Sequence, residues 1–70
     1  MTKTTYGVAL RAIRERQGLT VSDLAERTGL SRQTLGNLES DRNEPRWSIA
    51  CRIADALGVG MDKFRTGAGK

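Results

Sequence analysis

The chain has 70 residues, 12 Lys and Arg against 8 Asp and Glu for a net charge of +4, 37% hydrophobic residues, one cysteine and no histidine. A lone cysteine excludes an internal disulfide framework, and without histidine the side chains offer neither a structural zinc site nor histidine-based acid–base chemistry. No apolar run approaches the ~20 residues needed to cross a bilayer and no signal-peptide pattern opens the chain, so a cytoplasmic, nucleoid-associated place is expected.

Residues 1–70 are read as one domain, near the lower size limit for a single hydrophobic core. Tyr6, Leu10, Ile13 and Gln17 recur at helical spacing, which predicts an amphipathic helix over 5–17 that Gly18 stops. Thr20 and Asp23 stand three apart, the spacing of a capping box, and open a second helix that turns Leu24 and Ala25 inward and stops at Gly29. Ser31 is the next N-cap, because its hydroxyl can accept an open backbone N–H. Leu35 and Leu38 give the third helix its inward face. Asp41 to Pro45 is a polar loop, after which Trp47, Ala50, Ile53, Ala54 and Leu57 stripe a fourth helix ended by Gly58. Val59 and Phe64 are expected to close the core around a short fifth turn of helix, and the Gly-rich residues 66–70 to fray. No β alternation of useful length occurs. The expectation is an all-α, compact five-helix bundle with its core in residues 5–65.

Trp47 and Cys51 are read as core residues. Ile49 and Met61 fit less well inside and are candidates for a dimer patch.

The most informative stretch is Val21 to Ser40. Its fourth residue is apolar (Leu24), its fifth is Ala25 and its ninth is Gly29; Leu30, Leu35 and Leu38 follow at the tenth, fifteenth and eighteenth positions. Two helices joined by a tight turn meet at close range near the corner, where a small side chain lets them approach. Glycine can take the positive φ that ends the first helix, and the leucines fill the angle between the two. A helix-turn-helix over 20–40 requires this pattern.

From Leu10 to Phe64 the sequence resembles the Cro/repressor-type helix-turn-helix domains, the lambda-repressor-like or XRE family. The stretches that carry the resemblance are Leu10-Arg11-Ala12-Ile13-Arg14, Leu24-Ala25-Glu26-Arg27-Thr28-Gly29-Leu30-Ser31, Leu38-Glu39 and Ile53-Ala54-Asp55-Ala56-Leu57-Gly58-Val59. The resemblance implies that the third helix enters the DNA major groove. It also implies that Arg14 and Glu39 form a structural ion pair between the first helix and the end of the third. Two positions depart from the family pattern. Val21 stands where a backbone-contacting Gln is frequent, and Asp41 where Gly is common, although Asp tolerates the left-handed region better than most residues.

With Leu35 and Leu38 inward, the opposite face of the third helix shows Arg32, Gln33, Gly36 and Asn37. Arg can donate two bonds to guanine, and Gln or Asn can pair with adenine, so these four are the candidate base-reading residues. Gly36 is unusual inside a helix. It fits either close approach to a DNA strand or neutral drift. Candidate phosphate contacts are Thr20 and Ser22 at the start of the second helix, Ser31 at the start of the third, and Arg42, Asn43 and Arg46 in the loop beyond. The basic balance, with nine of twelve cations being Arg, suits a polyanionic partner.

The expected function is a sequence-specific double-stranded-DNA-binding transcription regulator, a repressor acting as a homodimer on a palindromic operator. No cofactor, metal, membrane or small-molecule ligand is expected. No nucleophile–base pair or phosphate-binding glycine loop points to an enzyme; Gly67-Ala68-Gly69-Lys70 lacks the spacing and the following helix. A protein-interaction module on the same fold, and the DNA-binding half of a longer repressor, are the alternatives.

Overall fold

The computed structural model describes residues 5–60 and residue 64. Among them are four helices and no strand: α1 (Tyr6–Arg16), α2 (Val21–Thr28), α3 (Arg32–Glu39) and α4 (Trp47–Leu57). The expected fifth helical turn falls largely outside the described residues, as do Met61 and the tail over 66–70. Phe64 is described, and it is buried and stacks on Tyr6 with ring centroids 5.0 Å apart. The contact buries the Tyr6 phenol, whose pKa is pushed up to about 12 by loss of water.

Three of the four helices start where a side chain satisfies an open amide. Thr5 Oγ accepts from the Val8 amide at 3.2 Å. The capping box at α2 is complete, with the Asp23 amide donating to Thr20 Oγ at 3.0 Å and the Thr20 amide to Asp23 Oδ2 at 2.9 Å. Ser31 Oγ accepts from the Thr34 amide at 3.0 Å. Arg46, at the N-cap of α4, makes no such bond.

The helix-turn-helix corner is closed by two devices. Gly29 takes φ 76°, a left-handed conformation that costs glycine little, and its amide donates to the Ala25 carbonyl at 2.8 Å. Thr28 is buried, and its hydroxyl donates to the Leu24 carbonyl at 2.8 Å while accepting the Leu30 amide at 3.2 Å. Both roles of one buried hydroxyl are therefore filled across the turn.

α1 packs on α3, and α2 packs on both α3 and α4. Each helix contributes one fully buried side chain to the centre: Leu10, Leu24, Leu35 and Ile53. Ala9, Ile13, Leu38, Ala54, Leu57 and Phe64 surround them. Burying a side chain of this size stabilises the fold by about 1.5–3 kcal/mol. Gln17, expected on the inward stripe of α1, is exposed beyond the last turn, and its Nε2 donates to the Leu57 carbonyl at 2.7 Å, tying α1 to the end of α4.

Two core expectations are corrected. Trp47 is 73% exposed. It is the first residue of α4, one turn before buried Ala50, so it continues the apolar stripe past the end of the packed surface. Helical spacing sets the side on which a residue lies, not whether a neighbouring element reaches that far along the axis. Cys51 is half-buried and lies outside the core cluster.

Candidate nucleic-acid interface

α3 is divided lengthwise by its own period. Leu35 and Leu38 are buried, whereas Arg32, Gln33 and Gly36 are exposed and Asn37 is half-buried. A Cβ built on Gly36 meets nothing within 4 Å, so no packing inside the domain demands glycine there.

The two ends of α3 are held differently. At its start, Arg32 Nη1 lies 3.5 Å from Ser22 Oγ, which brings the first turns of α2 and α3 side by side. That distance is at the limit of a hydrogen bond, so the guanidinium is parked rather than locked. At its end, Glu39 is gripped by Arg14 from α1. Arg14 Nε donates to Glu39 Oε2 at 2.6 Å and Nη2 to Oε1 at 3.1 Å, a bidentate pair. Nη1 donates to the Leu19 carbonyl at 2.7 Å. The two side chains are 11% and 10% exposed, so one guanidinium joins α1, the turn before α2 and the end of α3 out of bulk water. The hydrogen bond to Glu39 raises the Arg14 pKa against the opposing cost of desolvation.

The candidate phosphate contacts fall into three groups. Thr20 and Ser22 are exposed at the start of α2, where the Val21 and Ser22 amides lie outside the intrahelical ladder. Thr20 Oγ accepts within the capping box and keeps its proton for an outside acceptor. Asp23 places a carboxylate at the same helix end; the bond from the Thr20 amide holds its pKa below the usual value. Val21 packs against the core instead of facing out. Ser31 is exposed, but its hydroxyl is engaged twice, accepting from the Thr34 amide and donating to Thr34 Oγ1 at 2.8 Å. Arg42, Asn43 and Arg46 are all exposed in the loop between α3 and α4.

That loop and α3 border an open groove of about 420 Å³, walled by Thr34 and Leu38 on one side and by Asn43, Pro45, Arg46 and Ile49 on the other. Ile49 is half-buried there and packs against the edge of the core; its expected patch partner, Met61, lies outside the described residues.

Sequence reasoning missed one constellation. Asp41 has φ 61°, the one positive value at a non-glycine among the described residues. Its carboxylate accepts from Thr5 Oγ at 2.6 Å and from the Gly7 amide at 3.0 Å. These partners lie 36 and 34 residues earlier in the sequence, and no short-range pattern announces such a bond. Among the described residues no group of three or more Cys, Asp or Glu could hold a metal ion, and no helix is long and apolar enough to cross a membrane.

A family model described as a helix-turn-helix domain matches residues 5–66. The chain is 42% identical over 55 residues to the immunity repressor protein of Bacillus phage phi105, covering 79% of this chain and 38% of that protein. It is 49% identical over 49 residues to an HTH-type transcriptional regulator of Methanothermobacter thermautotrophicus, covering 70% of this chain and 71% of the relative. The chain thus spans about two fifths of the phage repressor and over two thirds of the archaeal regulator. Among solved structures, the restriction-modification controller protein C.AhdI from Aeromonas hydrophila superposes with a TM-score of 0.85 at 26% identity, over 89% of this chain and 94% of that one. With relatives named as repressors and regulators, and a family match running from the cap of α1 to beyond Phe64, this chain belongs to the Cro/repressor-type helix-turn-helix family of transcriptional regulators.

Proposed function

We propose that the chain is a sequence-specific regulator of transcription, a repressor, that binds double-stranded DNA as a homodimer and inserts α3 into the major groove of a palindromic operator at the nucleoid. The observation that carries this reading is the division of α3. Its apolar face is buried and its end is gripped by Arg14, while Arg32, Gln33 and Gly36 stand exposed on the face that remains. A helix held this rigidly from behind can present polar side chains to base edges with little loss of freedom on binding. Arg32 reads guanine, Gln33 and Asn37 read adenine, and Gly36 lets the helix approach closely. Thr20, Ser22, Arg42, Asn43 and Arg46 contact phosphates on either side through their side chains, Ser31 contributes through the open amides at the start of α3 rather than through its engaged hydroxyl, and Ile49 and Met61 contribute to the contact between protomers.

Selection of bound duplexes from a random pool tests the reading. A palindromic site with half-site centres ~34 Å apart is the expected product. On that site, Arg32→Ala or Gln33→Ala should cost about 1–3 kcal/mol and relax preference at one base pair. Arg42→Ala should weaken specific and random binding alike and flatten the salt dependence. Recovery of no preferred sequence would refute sequence-specific binding and favour a protein-interaction module on this fold.

A further inference from the structure

We propose that Asp41 is a positioning residue for DNA backbone contact, its carboxylate pinning the loop that carries Arg42 and Asn43 to the first turn of α1. The inference rests on the DNA-binding reading above and adds a residue that reading does not use.

The argument begins at α1. Its first turn contains no acidic residue, although the open amides and the dipole of a helix start favour a negative charge there. Asp41, distant in sequence but adjacent in space, supplies that charge. The Val8 amide donates to Thr5 Oγ at 3.2 Å, and the Thr5 hydroxyl donates to Asp41 Oδ2 at 2.6 Å, so the capping hydroxyl of α1 is also the arm of the latch. The Gly7 amide donates to the other oxygen, Oδ1, at 3.0 Å. Both carboxylate oxygens are thereby engaged.

Gly7 shows how close this approach is. A Cβ on it would lie 2.5 Å from the Glu39 carbonyl oxygen, 2.6 Å from that of Leu38 and 2.8 Å from Asp41 Oδ1. Two of those three atoms are backbone, so they cannot swing aside. The missing side chain at Gly7 is what lets its amide reach the carboxylate.

The latch acts on the loop through backbone already folded against α3. The Asp41 amide donates to the Leu38 carbonyl at 3.2 Å and the Arg42 amide to the Asn37 carbonyl at 2.9 Å. Beyond them Arg42, Asn43, Glu44 and Arg46 are exposed. Asp41 is thus the last side chain before this exposed run that is tied to another helix. Fixing it in advance lowers the ordering cost when Arg42 meets a phosphate. The same bonds direct a carboxylate that would otherwise repel the DNA backbone onto the positive end of α1.

The test uses the whole 70-residue chain. Binding to its selected duplex and to a random duplex is measured across a salt series, well below each variant's melting temperature. Asp41→Gly keeps the left-handed backbone and removes the latch. Thr5→Val removes the hydroxyl arm of the latch, and with it the cap of α1, while leaving the Gly7 bond and the loop sequence unchanged. Asp41→Asn keeps an acceptor for Gly7 and serves as the conservative rescue. One phosphate contact corresponds to a salt slope of about 0.9, which is about a five-fold change in affinity at 0.15 M salt.

Asp41→Gly should therefore weaken binding to both duplexes about five-fold and flatten the slope by about 0.9 per bound chain. Thr5→Val should shift both readouts in the same direction, add nothing in the Asp41→Gly background, and Asp41→Asn should recover part of the loss. A lowered melting temperature with affinity and slope unchanged would overturn the proposal, as would tighter binding by Asp41→Gly. If the unaltered chain bound no duplex at all, the DNA-binding reading would fall and this proposal with it; binding by the unaltered chain with indifferent variants would sink this proposal alone.

Discussion

Replacing Arg14 by Ala should destabilise the domain more than replacing Glu39, because Arg14 holds one more partner. Arg14→Ala strands the Glu39 carboxylate, only 10% exposed, and also leaves the Leu19 carbonyl without its donor. Removing one partner of a buried pair costs about 3–5 kcal/mol. Glu39→Ala leaves Arg14 with its bond to the Leu19 carbonyl and with Glu15 Oε2 at 4.0 Å, so its cost should be smaller by about 1.5 kcal/mol, the low end for a hydrogen bond to a charged group. A domain of this length has roughly 4–10 kcal/mol of stability in all. Arg14→Ala should lower the melting temperature by at least about 12 °C, at about 4–8 °C per kcal/mol. Urea and thermal unfolding followed by far-ultraviolet circular dichroism measure each variant, and the double variant closes the cycle. Its cost should fall short of the sum of the two single costs by more than about 1 kcal/mol. Additivity to within about 0.5 kcal/mol, or a larger loss for Glu39→Ala, would refute the reasoning. The double change Arg14→Met with Glu39→Leu avoids the desolvation cost of the pair and should cost only the lost donor to the Leu19 carbonyl, about 1–3 kcal/mol.

Three further outcomes are expected. Gly36→Ala should stabilise the DNA-free domain by about 0.5–1 kcal/mol, because the position is helical, exposed and unobstructed; reduced affinity for the selected duplex would accompany it if the helix approaches DNA closely there. Asp23 has a lowered pKa in the folded state, so its carboxylate adds stability above the ordinary value of 3.8 and that contribution is lost as pH falls through the lower folded value. The gap in urea midpoint between the unaltered chain and Asp23→Asn should therefore be full at pH 7 and narrow below about pH 4; a constant gap would count against the charged capping box. For the proposed homodimer, Ile49→Glu or Met61→Glu should leave the helical spectrum intact while lowering occupancy of a two-half-site duplex; sedimentation showing a single chain on a saturated operator would refute the dimer.

The helices were legible in the sequence because the signals that delimit them are local. Thr20 with Asp23, Ser31, Gly29 and Gly58 each act within about four residues, and the structure places them at the helix ends. The inward faces of α1 to α3 were legible for the same reason, from Leu10, Leu24, Leu35 and Leu38 at helical spacing. Trp47 was misplaced because the periodic stripe does not reveal where a neighbouring helix stops. Asp41 was recognised as able to take the left-handed turn, but its bonds to Thr5 and Gly7 join residues 36 and 34 positions apart, beyond any spacing rule. Gly7 drew no notice for the same reason: the carbonyls that exclude its Cβ belong to Leu38 and Glu39. The polar face of α3 is legible residue by residue, whereas the double engagement of the Ser31 hydroxyl depends on how its side chain is turned toward Thr34, which no spacing reveals.

The lengthwise division of α3 has a consequence for how such a protein changes over time. Arg32, Gln33 and Gly36 are exposed and Leu35 and Leu38 buried, although they alternate along eight residues. Exchanges at exposed positions away from caps and cores usually shift stability by no more than about 0.5 kcal/mol. Replacement of a buried leucine by Ala costs about 2–5 kcal/mol, a large part of what a domain this small possesses. One short helix therefore holds two kinds of mutational freedom. Its outer letters can be rewritten one at a time, each leaving a folded intermediate open to selection. The inner letters are confined to residues of nearly equal volume. On the proposed reading of α3, a lineage descending from this chain could acquire a new operator by single steps without passing through an unfolded ancestor.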